Sequence, residues 1–303
     1  MTSRVACTLA LATVTACCQL PPAPVAQAPQ EALPTASAAP PLLGPADFYG
    51  SFTPRAANAR DGGQSTYEGA LVVTMLERAL VAAVLPAGLK LATPKLPATQ
   101  HPVLHLIGHQ RDPHYLVNGV LLPVPLGVDY RELILLVPFV VADNGTLWHN
   151  FAVRMVLDNL PAVEIGNLHY AYAKEMASLD LASATATVVQ RDELLFEQTL
   201  SADGAWQSST NAESGLPRYT DLQQIFAMPI VGYDGRLVCS YFEWGYAQAE
   251  VAPATSLHRF ARPFRAGMEG WVSSGMRSGA ADGVVKLRRL QWRLKFPAIE
   301  CHF

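Results

Sequence analysis

The most informative residue for chemistry is a lysine in the middle of the chain. Lys174 is the only lysine between Lys95 and Lys286. A lysine amine that is held neutral can attack a carbonyl carbon and form a Schiff base. In an extended strand Tyr170, Tyr172 and Lys174 would point to one face, so we expect Lys174 to face a cavity lined by tyrosines. The alternative is a surface lysine whose stem lies along core tyrosines.

A run of histidines is the second set of residues that could bind a ligand. His101, His105 and His109 are spaced four residues apart, and His114 follows them. Pro102 disfavours a helix here, and an extended strand separates the outer two of the first three by roughly 26 Å. No cluster of carboxylates accompanies them. We therefore expect polar histidines at the rim of a sheet, and no metal.

Other familiar catalytic motifs are missing from the sequence. It contains no GxGxxG or Walker loop for a nucleotide and no GxSxG nucleophile elbow for a hydrolase. The 22 basic residues form no dense block and the formal net charge is -3, which argues against a nucleic acid partner. We expect no cofactor.

The elements that must position these residues are predicted to be mostly strands. Segments rich in β-branched or aromatic residues alternate with Gly, Pro or Asn-Gly, and the predicted strands are residues 69–74, 104–107, 116–123, 132–141, 150–155, 184–189, 224–231, 237–249 and 284–296. A helix is predicted at residues 76–84, ended by Pro86 and Gly88. In the last strand Leu290, Trp292 and Leu294 fall on one face. The pattern predicts a mainly β (α+β) fold, a curled antiparallel sheet or barrel around an interior cavity, with few helices.

The first 45 residues are predicted to lie outside the folded domain. Arg4 precedes an apolar stretch, residues 5–15, that is too short to span a bilayer. The following Val14-Thr15-Ala16-Cys17 resembles the bacterial lipobox, so residues 1–17 are predicted to be a signal peptide with Cys17 lipidated. The alternative is an ordinary secretory signal cut near Ala16. Residues 18–45, rich in Pro and Ala, are predicted to be a tether and residues 46–303 the domain, on an exported protein anchored to a membrane by acyl chains on the periplasmic or cell-surface side.

The sequence does not decide whether the cysteines of the predicted domain form a disulfide. Cys239 and Cys301 are the two cysteines of the predicted domain. An oxidising compartment would allow a disulfide between them, whereas their spacing carries no disulfide framework or zinc signature. A Cys239–Cys301 bridge and two buried free thiols are equal alternatives.

Four segments resemble the acetoacetate decarboxylase family. They are the run Met155-Val156-Leu157-Asp158-Asn159-Leu160-Pro161-Ala162-Val163 followed by Gly166 and Ala171-Tyr172-Ala173-Lys174, the triplet Tyr130-Arg131-Glu132, the turn Leu85-Pro86-Ala87-Gly88-Leu89, and the run Pro229-Ile230-Val231-Gly232-Tyr233-Asp234-Gly235. The resemblance spans residues 65–235 and implies that family's fold. It also implies a carbon-carbon lyase, a decarboxylase of Schiff-base type, with Lys174 as the amine nucleophile and Glu132 as its polar, acid-base partner.

Several positions near the implied nucleophile differ from the family pattern. Ala173 takes the place of a proline, Glu175 that of a second lysine, and Asn167-Leu168 that of an Arg-Glu pair. Tyr67 occupies the position of the family's substrate-binding arginine. Strand alternation is expected to send Glu175 to the face opposite Lys174. The residues implied to contact substrate are Tyr67, Tyr130, Tyr170 and Tyr172.

Two hypotheses for function follow. The first is an enzyme acting on a small oxo acid or related carbonyl compound through a Schiff base on Lys174. The second is a lipid-anchored binding protein without catalytic activity, which holds a small apolar ligand in the same cavity. Both are compatible with a homo-oligomer.

Overall fold

The computed structural model describes residues 60–92, 96–117, 120–123, 129–210, 216, 219–296 and 299–301. The predicted signal peptide with Cys17, the predicted tether and residues 46–59 of the predicted domain lie outside this range. Within it, no helix is both long enough and apolar enough to cross a membrane.

Strands make up most of the described part of the chain. They are β1 (Arg60–Glu77), β2 (Leu89–Leu91), β3 (Gln100–Val117), β4 (Val120–Pro123), β5 (Tyr130–Ala142), β6 (His149–Leu157), β7 (Lys174–Met176), β8 (Ser178–Leu181), β9 (Thr185–Gln190), β10 (Glu193–Ala202), β11 (Gln207–Ser208), β12 (Ile230–Tyr233), β13 (Leu237–Ser240), β14 (Phe242–Gly245), β15 (Glu250–Phe260), β16 (Met276–Ser278), β17 (Val285–Phe296) and β18 (Ile299–Glu300). The α-helices are α1 (Arg78–Ala82), α2 (Leu160–Tyr170) and α3 (Tyr219–Ala227), and short 3-10 helices lie at Glu269–Trp271 and Ala280–Asp282. The prediction of a mainly β fold with few helices is confirmed.

Long antiparallel strands form the centre of a large curled sheet. β1 pairs with β17 on one side and with β3 on the other, and the sheet continues from β3 through β5 to β6. β6 then pairs in parallel with both β7 and β12. The sheet is therefore mixed, mostly antiparallel as predicted but with parallel pairs that require longer connections.

A smaller sheet packs on one face of the large one. It contains β8, β9, β10, β15 and β16. β15 belongs to both sheets, because residues 250–253 pair with β17 and residues 254–260 pair with β10. This shared strand holds the two sheets together at one edge.

The central strands bury both of their faces, because successive side chains point to opposite sides of a sheet. Leu71 and Leu104 belong to a core on the concave side of the large sheet. Ala70 and Ile107 belong to a second core, in which Phe196 comes from the smaller sheet. The concave side is left to house the pocket described below.

Helix α2 was not foreseen and changes the geometry around Lys174. The Asn159 side chain accepts a hydrogen bond from the backbone N–H of Ala162 (3.0 Å) and so caps the first turn. The helix ends where Ala171 adopts a left-handed conformation (φ 52°). Tyr170 therefore lies in a helix, and the expectation that Tyr170, Tyr172 and Lys174 share one extended strand is wrong.

The predicted strand at residues 224–231 is also partly wrong. Its first half is the end of α3, and only the second half is strand β12. Leu222, Ile225 and Phe226 are buried while Gln223 and Gln224 are partly exposed, which is the pattern of an amphipathic helix. Branched and aromatic residues in a short window do not separate the two alternatives.

Other boundaries shift for local reasons. The predicted helix at residues 76–84 shrinks to α1, since β1 continues to Glu77. The predicted strand at 116–123 is the arms of the β3–β4 hairpin, whose residues 118–119 lie outside the described range. The predicted strand at 237–249 is β13 followed by β14, with Tyr241 between them.

Two of the histidines lie in the protein interior, which corrects the prediction that they lie at the rim of a sheet. His101 and His105 are 0% and 1% exposed, because the smaller sheet and the α1 region cover that face of β3. The His105 ring lies 4.6 Å from the ring of His258, whereas His109 and His114 are partly exposed. Among the described residues, no group of three or more His, Cys, Asp or Glu side chains is placed to bind a metal.

The two cysteines of the domain form a disulfide. Cys239 in β13 is bonded to Cys301, and their Cα atoms lie 4.9 Å apart. β13 and β18 are antiparallel neighbours, with Cys239 opposite Ile299. Of the two alternatives left open by the sequence, the structure has the bridge, which ties the end of the chain to the sheet.

Candidate functional site

Lys174 is positioned by a crossover between parallel strands. It is the first residue of β7 and pairs with Met155 of β6. Because the two strands run in the same direction, the chain must cross back over the sheet between them, and α2 is that crossover. The helix therefore lies directly against the lysine.

The side chain of Asn167 in α2 holds the backbone of Lys174 by two hydrogen bonds. The Asn167 Oδ1 accepts from the Lys174 N–H (2.7 Å), and its Nδ2 donates to the Lys174 carbonyl (2.9 Å). The Asn167 amide thus satisfies the backbone N–H and carbonyl of Lys174 at the edge of β7, as a neighbouring strand would. It fixes where the Lys174 side chain starts.

The Lys174 side chain then crosses helix α2 at Gly166. A Cβ at Gly166 would lie 2.9 Å from Lys174 Nζ and closer still to Cδ and Cε. Only glycine leaves room for this path. The amine ends within 3.3 Å of the carbonyl oxygen of Ala162, to which it donates.

The amine lines an interior cavity of about 50 Å³ on the concave side of the large sheet. The lining residues are Tyr67, Leu106, Gln110, Tyr115, Tyr130, Glu132, Ile134, Leu136, Asn150, Met155, Tyr172, Lys174, Phe226, Ile230, Phe242, Trp244, Trp292 and Leu294. Of these described residues, only Lys174 and Glu132 carry a formal charge. The cavity has room for only a few water molecules, so a ligand that fits it is small.

Glu132 is held by a chain of side-chain hydrogen bonds. It is 2% exposed and lies on β5. Gln110 on β3 donates from Nε2 to Glu132 Oε1, and Trp292 on β17 donates from Nε1 to Gln110 Oε1 (2.7 Å). Because the indole N–H can only donate, it orients the Gln110 amide so that its NH₂ group faces the carboxylate.

Burial and mutual attraction oppose each other in the pKa values of the pair. Burial lowers the pKa of Lys174, and the negative charge of Glu132 partly offsets this. Burial raises the pKa of Glu132, while the Lys174 charge and the Gln110 hydrogen bond lower it. The result is a buried amine biased toward its neutral form, beside a carboxyl group that exchanges protons more readily near neutral pH than an exposed one.

Three of the four tyrosines implied by the sequence line the cavity. Tyr67 and Tyr130 lie on the Glu132 side, and Tyr172 has its ring centre 5.8 Å from Lys174 Nζ. The Tyr172 hydroxyl is hydrogen-bonded to Ser240. Tyr170 is not among the residues that line the cavity, and its ring stacks on that of Tyr172 with ring centres 5.5 Å apart.

Glu175 is directed away from the cavity, as strand alternation predicted. It forms an ion pair with Arg154 and accepts a hydrogen bond from Gln190 (2.7 Å). Its negative charge is therefore compensated on the other face of β6 and β7. The pKa of Lys174 is not raised by Glu175.

Solved structures share this architecture. An acetoacetate decarboxylase from Legionella pneumophila subsp. pneumophila str. Philadelphia 1 superimposes with a TM-score of 0.51 at 14% sequence identity, covering 87% of this chain and 96% of that chain. An acetoacetate decarboxylase-like enzyme from Sphingomonas wittichii RW1 gives a TM-score of 0.52 at 13% identity, covering 80% and 94%. The chain has the acetoacetate decarboxylase-like fold.

A third similar structure is that of the enduracididine biosynthesis enzyme MppR complexed with pyruvate. Its TM-score is 0.51 at 9% identity, covering 80% of this chain and 90% of that chain. No protein-family model matches the sequence, and the comparison with curated proteins gives no match. The likeness concerns the acetoacetate decarboxylase-like fold, so function is argued from the residues of the site.

Within this acetoacetate decarboxylase-like fold, several site residues were missed by the sequence reasoning. Gln110 and Tyr115 lie on β3, Asn167 on α2 was noted only as a departure from the family pattern, and Trp292 was read only as a residue on one face of the last strand. Asn167 stands seven positions before Lys174, but its role depends on an unpredicted helix. The others reach the site through strand pairings between distant segments, and no local pattern indicates them.

Proposed function

We propose that this protein is an enzyme that forms a Schiff base between Lys174 and a small carbonyl compound, with Glu132 as its proton-transfer partner. The observation that carries the proposal is that the amine of Lys174, a partly buried residue, and the buried carboxyl group of Glu132 line one cavity. Burial lowers the pKa of the amine, and a neutral amine is what attack on a carbonyl requires.

The proposed chemistry begins with attack by the amine. The nitrogen lone pair forms a bond to the carbonyl carbon while the carbonyl π pair moves to oxygen; the oxygen takes up one proton released by the nitrogen and one from the Glu132 carboxyl group, leaves as water, and an iminium remains. With a β-oxo acid, the bond to the carboxylate then breaks, its electron pair moves toward the iminium nitrogen, and carbon dioxide leaves an enamine. Protonation of the enamine carbon and hydrolysis return the ketone and the free amine. Glu132, within the same cavity, is the group that gives and takes these protons.

Support also comes from the fold. Proteins of the acetoacetate decarboxylase-like fold include named acetoacetate decarboxylases, and MppR has been solved with pyruvate. These observations favour a small carbonyl substrate and a carbon-carbon lyase reaction, and they need no cofactor beyond the lysine itself.

Reductive trapping tests the proposal. The protein is incubated with acetoacetate or pyruvate, reduced with borohydride and digested, and the peptides are mapped by mass. A mass increase on Lys174 is expected, with no increase in a Lys174→Met variant. A Lys286→Met variant is the matched control, because Lys286 lies on β17 outside this cavity; it should be labelled at Lys174 like the unaltered protein. Labelling nowhere, or equally on surface lysines, contradicts the proposal.

A second candidate function is favoured by the aromatic wall of the cavity. Phe226, Phe242, Trp244 and Trp292 line it together with aliphatic side chains, which is a surface suited to an apolar ligand. A binding protein without catalytic activity would bind small apolar compounds in competition with carbonyl compounds, yet give no adduct at Lys174 with any of them.

We also propose that the protein is exported and anchored by acyl chains on Cys17. The Cys239–Cys301 disulfide is typical of an oxidising compartment. Expression of the full chain and of a Cys17→Ala variant in a bacterial host tests this. The unaltered protein should fractionate with membranes and carry lipid on its N-terminal peptide, whereas the variant should not. Equal fractionation of the two contradicts lipidation.

A further inference from the structure

We propose that the cavity selects neutral carbonyl compounds, short ketones or aldehydes, over oxo acids. This inference rests on the Schiff-base function proposed above and names its substrate class: it keeps the imine-forming step on Lys174 and replaces the β-oxo acid of the decarboxylation route by an uncharged carbonyl compound. It is carried by how charge is distributed over the two faces of the large sheet.

Among the residues that the structure describes, the nucleophile itself is the only cation that the cavity offers to a carboxylate substrate. Lys174 and Glu132 are the charged groups among the described residues that line it. When the amine is neutral and ready to attack, the described lining holds no cation, and burial favours the uncharged form of Glu132 as well. An oxo acid would then place an unpaired carboxylate in a desolvated site, and that carboxylate would repel the one that Glu132 becomes when it gives up its proton.

Three arginines of the central strands follow or precede a cavity residue directly and point to the opposite face of the sheet. Each stands next to a cavity residue on a central strand, in the pairs Gln110-Arg111, Arg131-Glu132 and Arg154-Met155. Strand alternation sends the arginine of each pair away from the cavity. Their anionic neighbours there are Glu68 and Asp129 for Arg111, Asp158 for Arg131, and Glu175 for Arg154.

These arginines cannot reach a substrate without breaking existing contacts. Arg111 has ion pairs of 3.3 and 2.8 Å on its own face, and Arg131 also donates to the Leu179 carbonyl (2.6 Å). To turn inward, either would have to pass through the sheet. On the cavity face, Tyr67 is a neutral group whose hydroxyl donates to the Ala70 carbonyl (3.4 Å).

One part of the cavity wall matches a short apolar substituent. Part of the lining is formed by Phe226, Ile230, Phe242 and Trp244. These side chains cannot donate a hydrogen bond to a carboxylate, apart from the Trp244 indole N–H, which already donates to the Phe226 carbonyl (3.0 Å). An alkyl group attached to the carbonyl carbon loses nothing by entering this space.

Charge-matched probes test the inference. Pyruvate is compared with pyruvamide and acetoacetate with acetoacetamide, since each pair differs by one charge and little in shape. For each probe, the concentration that half-saturates borohydride-trapped labelling of Lys174 is measured on the full protein. The same probes are run with N-acetyl-lysine, so that differences in intrinsic carbonyl reactivity are divided out.

The amides are expected to half-saturate labelling at a concentration roughly tenfold or more below that of their acids, which corresponds to about 1.4 kcal/mol or more. In a Glu132→Gln variant, which is nearly isosteric, this preference should fall to within about threefold because the repelling charge is gone. Two outcomes overturn the inference while leaving the Schiff-base function intact. In the first, the acids label Lys174 as well as or better than the amides; in the second, the preference for the amides is unchanged in Glu132→Gln. Absence of any adduct at Lys174 with all four probes refutes the Schiff-base function and this inference with it.

Discussion

The Lys174 side chain passes so close to Gly166 that a Cβ on the helix would lie 2.9 Å from its Nζ. Real Cβ atoms do not come this close to a heavy atom without displacement of one of the two. Helix α2 is held at both ends, by the Asn159 cap and the left-handed Ala171. The flexible lysine is therefore the group that must move when residue 166 changes.

A Gly166→Ala variant is accordingly expected to fold but to lose most of the reactivity of Lys174. Displacing the amine by about 1 Å is enough to reduce labelling by roughly 10- to 100-fold. The measurement is the rate of borohydride-trapped adduct formation with a small ketone. A Gly63→Ala variant is the matched control, since a Cβ there meets only atoms at 3.5 Å or more. Equal rates in the two variants would contradict the proposed path of the side chain.

Removing the Asn167 amide should loosen the backbone of the nucleophile. In an Asn167→Ala variant both hydrogen bonds to Lys174 are lost, and we expect the free energy of unfolding to fall by about 1–2 kcal/mol. Labelling of Lys174 should slow because its starting point is less fixed. Denaturant titration and labelling rates measure the two effects. An Asn167→Asp variant keeps the acceptor for the Lys174 N–H, so its stability and labelling rate should fall between those of the unaltered protein and of Asn167→Ala. If Asn167→Ala equals the unaltered protein in both stability and labelling rate, Asn167 does not position Lys174.

The pH dependence of labelling should report on Glu132. The carboxylate raises the pKa of Lys174, against the larger lowering by burial. A Glu132→Gln variant removes that opposing effect, so the pKa of the amine should fall further and the midpoint of labelling against pH should move to lower pH. Glu68→Gln is the control, because Glu68 pairs with Arg111 outside this cavity. A midpoint that moves upward in Glu132→Gln, or equally in both variants, argues against the electrostatic coupling.

Buried histidines should make the fold sensitive to mild acid. Burial lowers the pKa of His258 from 6.5 to about 4. Between pH 6.5 and pH 4 the unfolded chain binds more protons than the folded one. The free energy of unfolding should therefore be highest above about pH 6.5 and decrease as the pH drops toward 4. Each unit of pKa difference corresponds to about 1.4 kcal/mol.

Denaturant titrations at about pH 7 and about pH 5 measure this loss. A His258→Asn variant should lose less stability between the two conditions than the unaltered protein, even if it is less stable in both. His114, whose ring is partly exposed, provides the control variant His114→Asn, which should keep the original difference. The same difference in His258→Asn as in the unaltered protein would mean that His258 is not the group that titrates.

Local patterns went far in predicting the strands. The alternation of Leu290, Trp292 and Leu294 appears in β17, where all three are buried, and most other predicted strands fall on observed ones. Strands β10 and β15 were not predicted at all. The two failures at helices share a cause. Both α2 and the end of α3 are rich in aromatic or branched residues, and their helical state depends on a cap or on a buried face that short-window composition does not reveal.

The sequence by itself determined an isolated lysine in a tyrosine-rich segment, a glutamate on a strand, the mainly β class and a set of family-like motifs. Only the tertiary structure decided that Lys174 and Glu132 share a cavity and that Tyr170 does not line it. It also decided that Gln110 and Trp292 orient the carboxylate and that Cys239 is bonded to Cys301. The physical reason is that burial, pKa and charge compensation depend on neighbours brought together by strand pairing over long sequence separations. Residue types along the chain carry the chemistry, but the sheet decides which face each of them reaches.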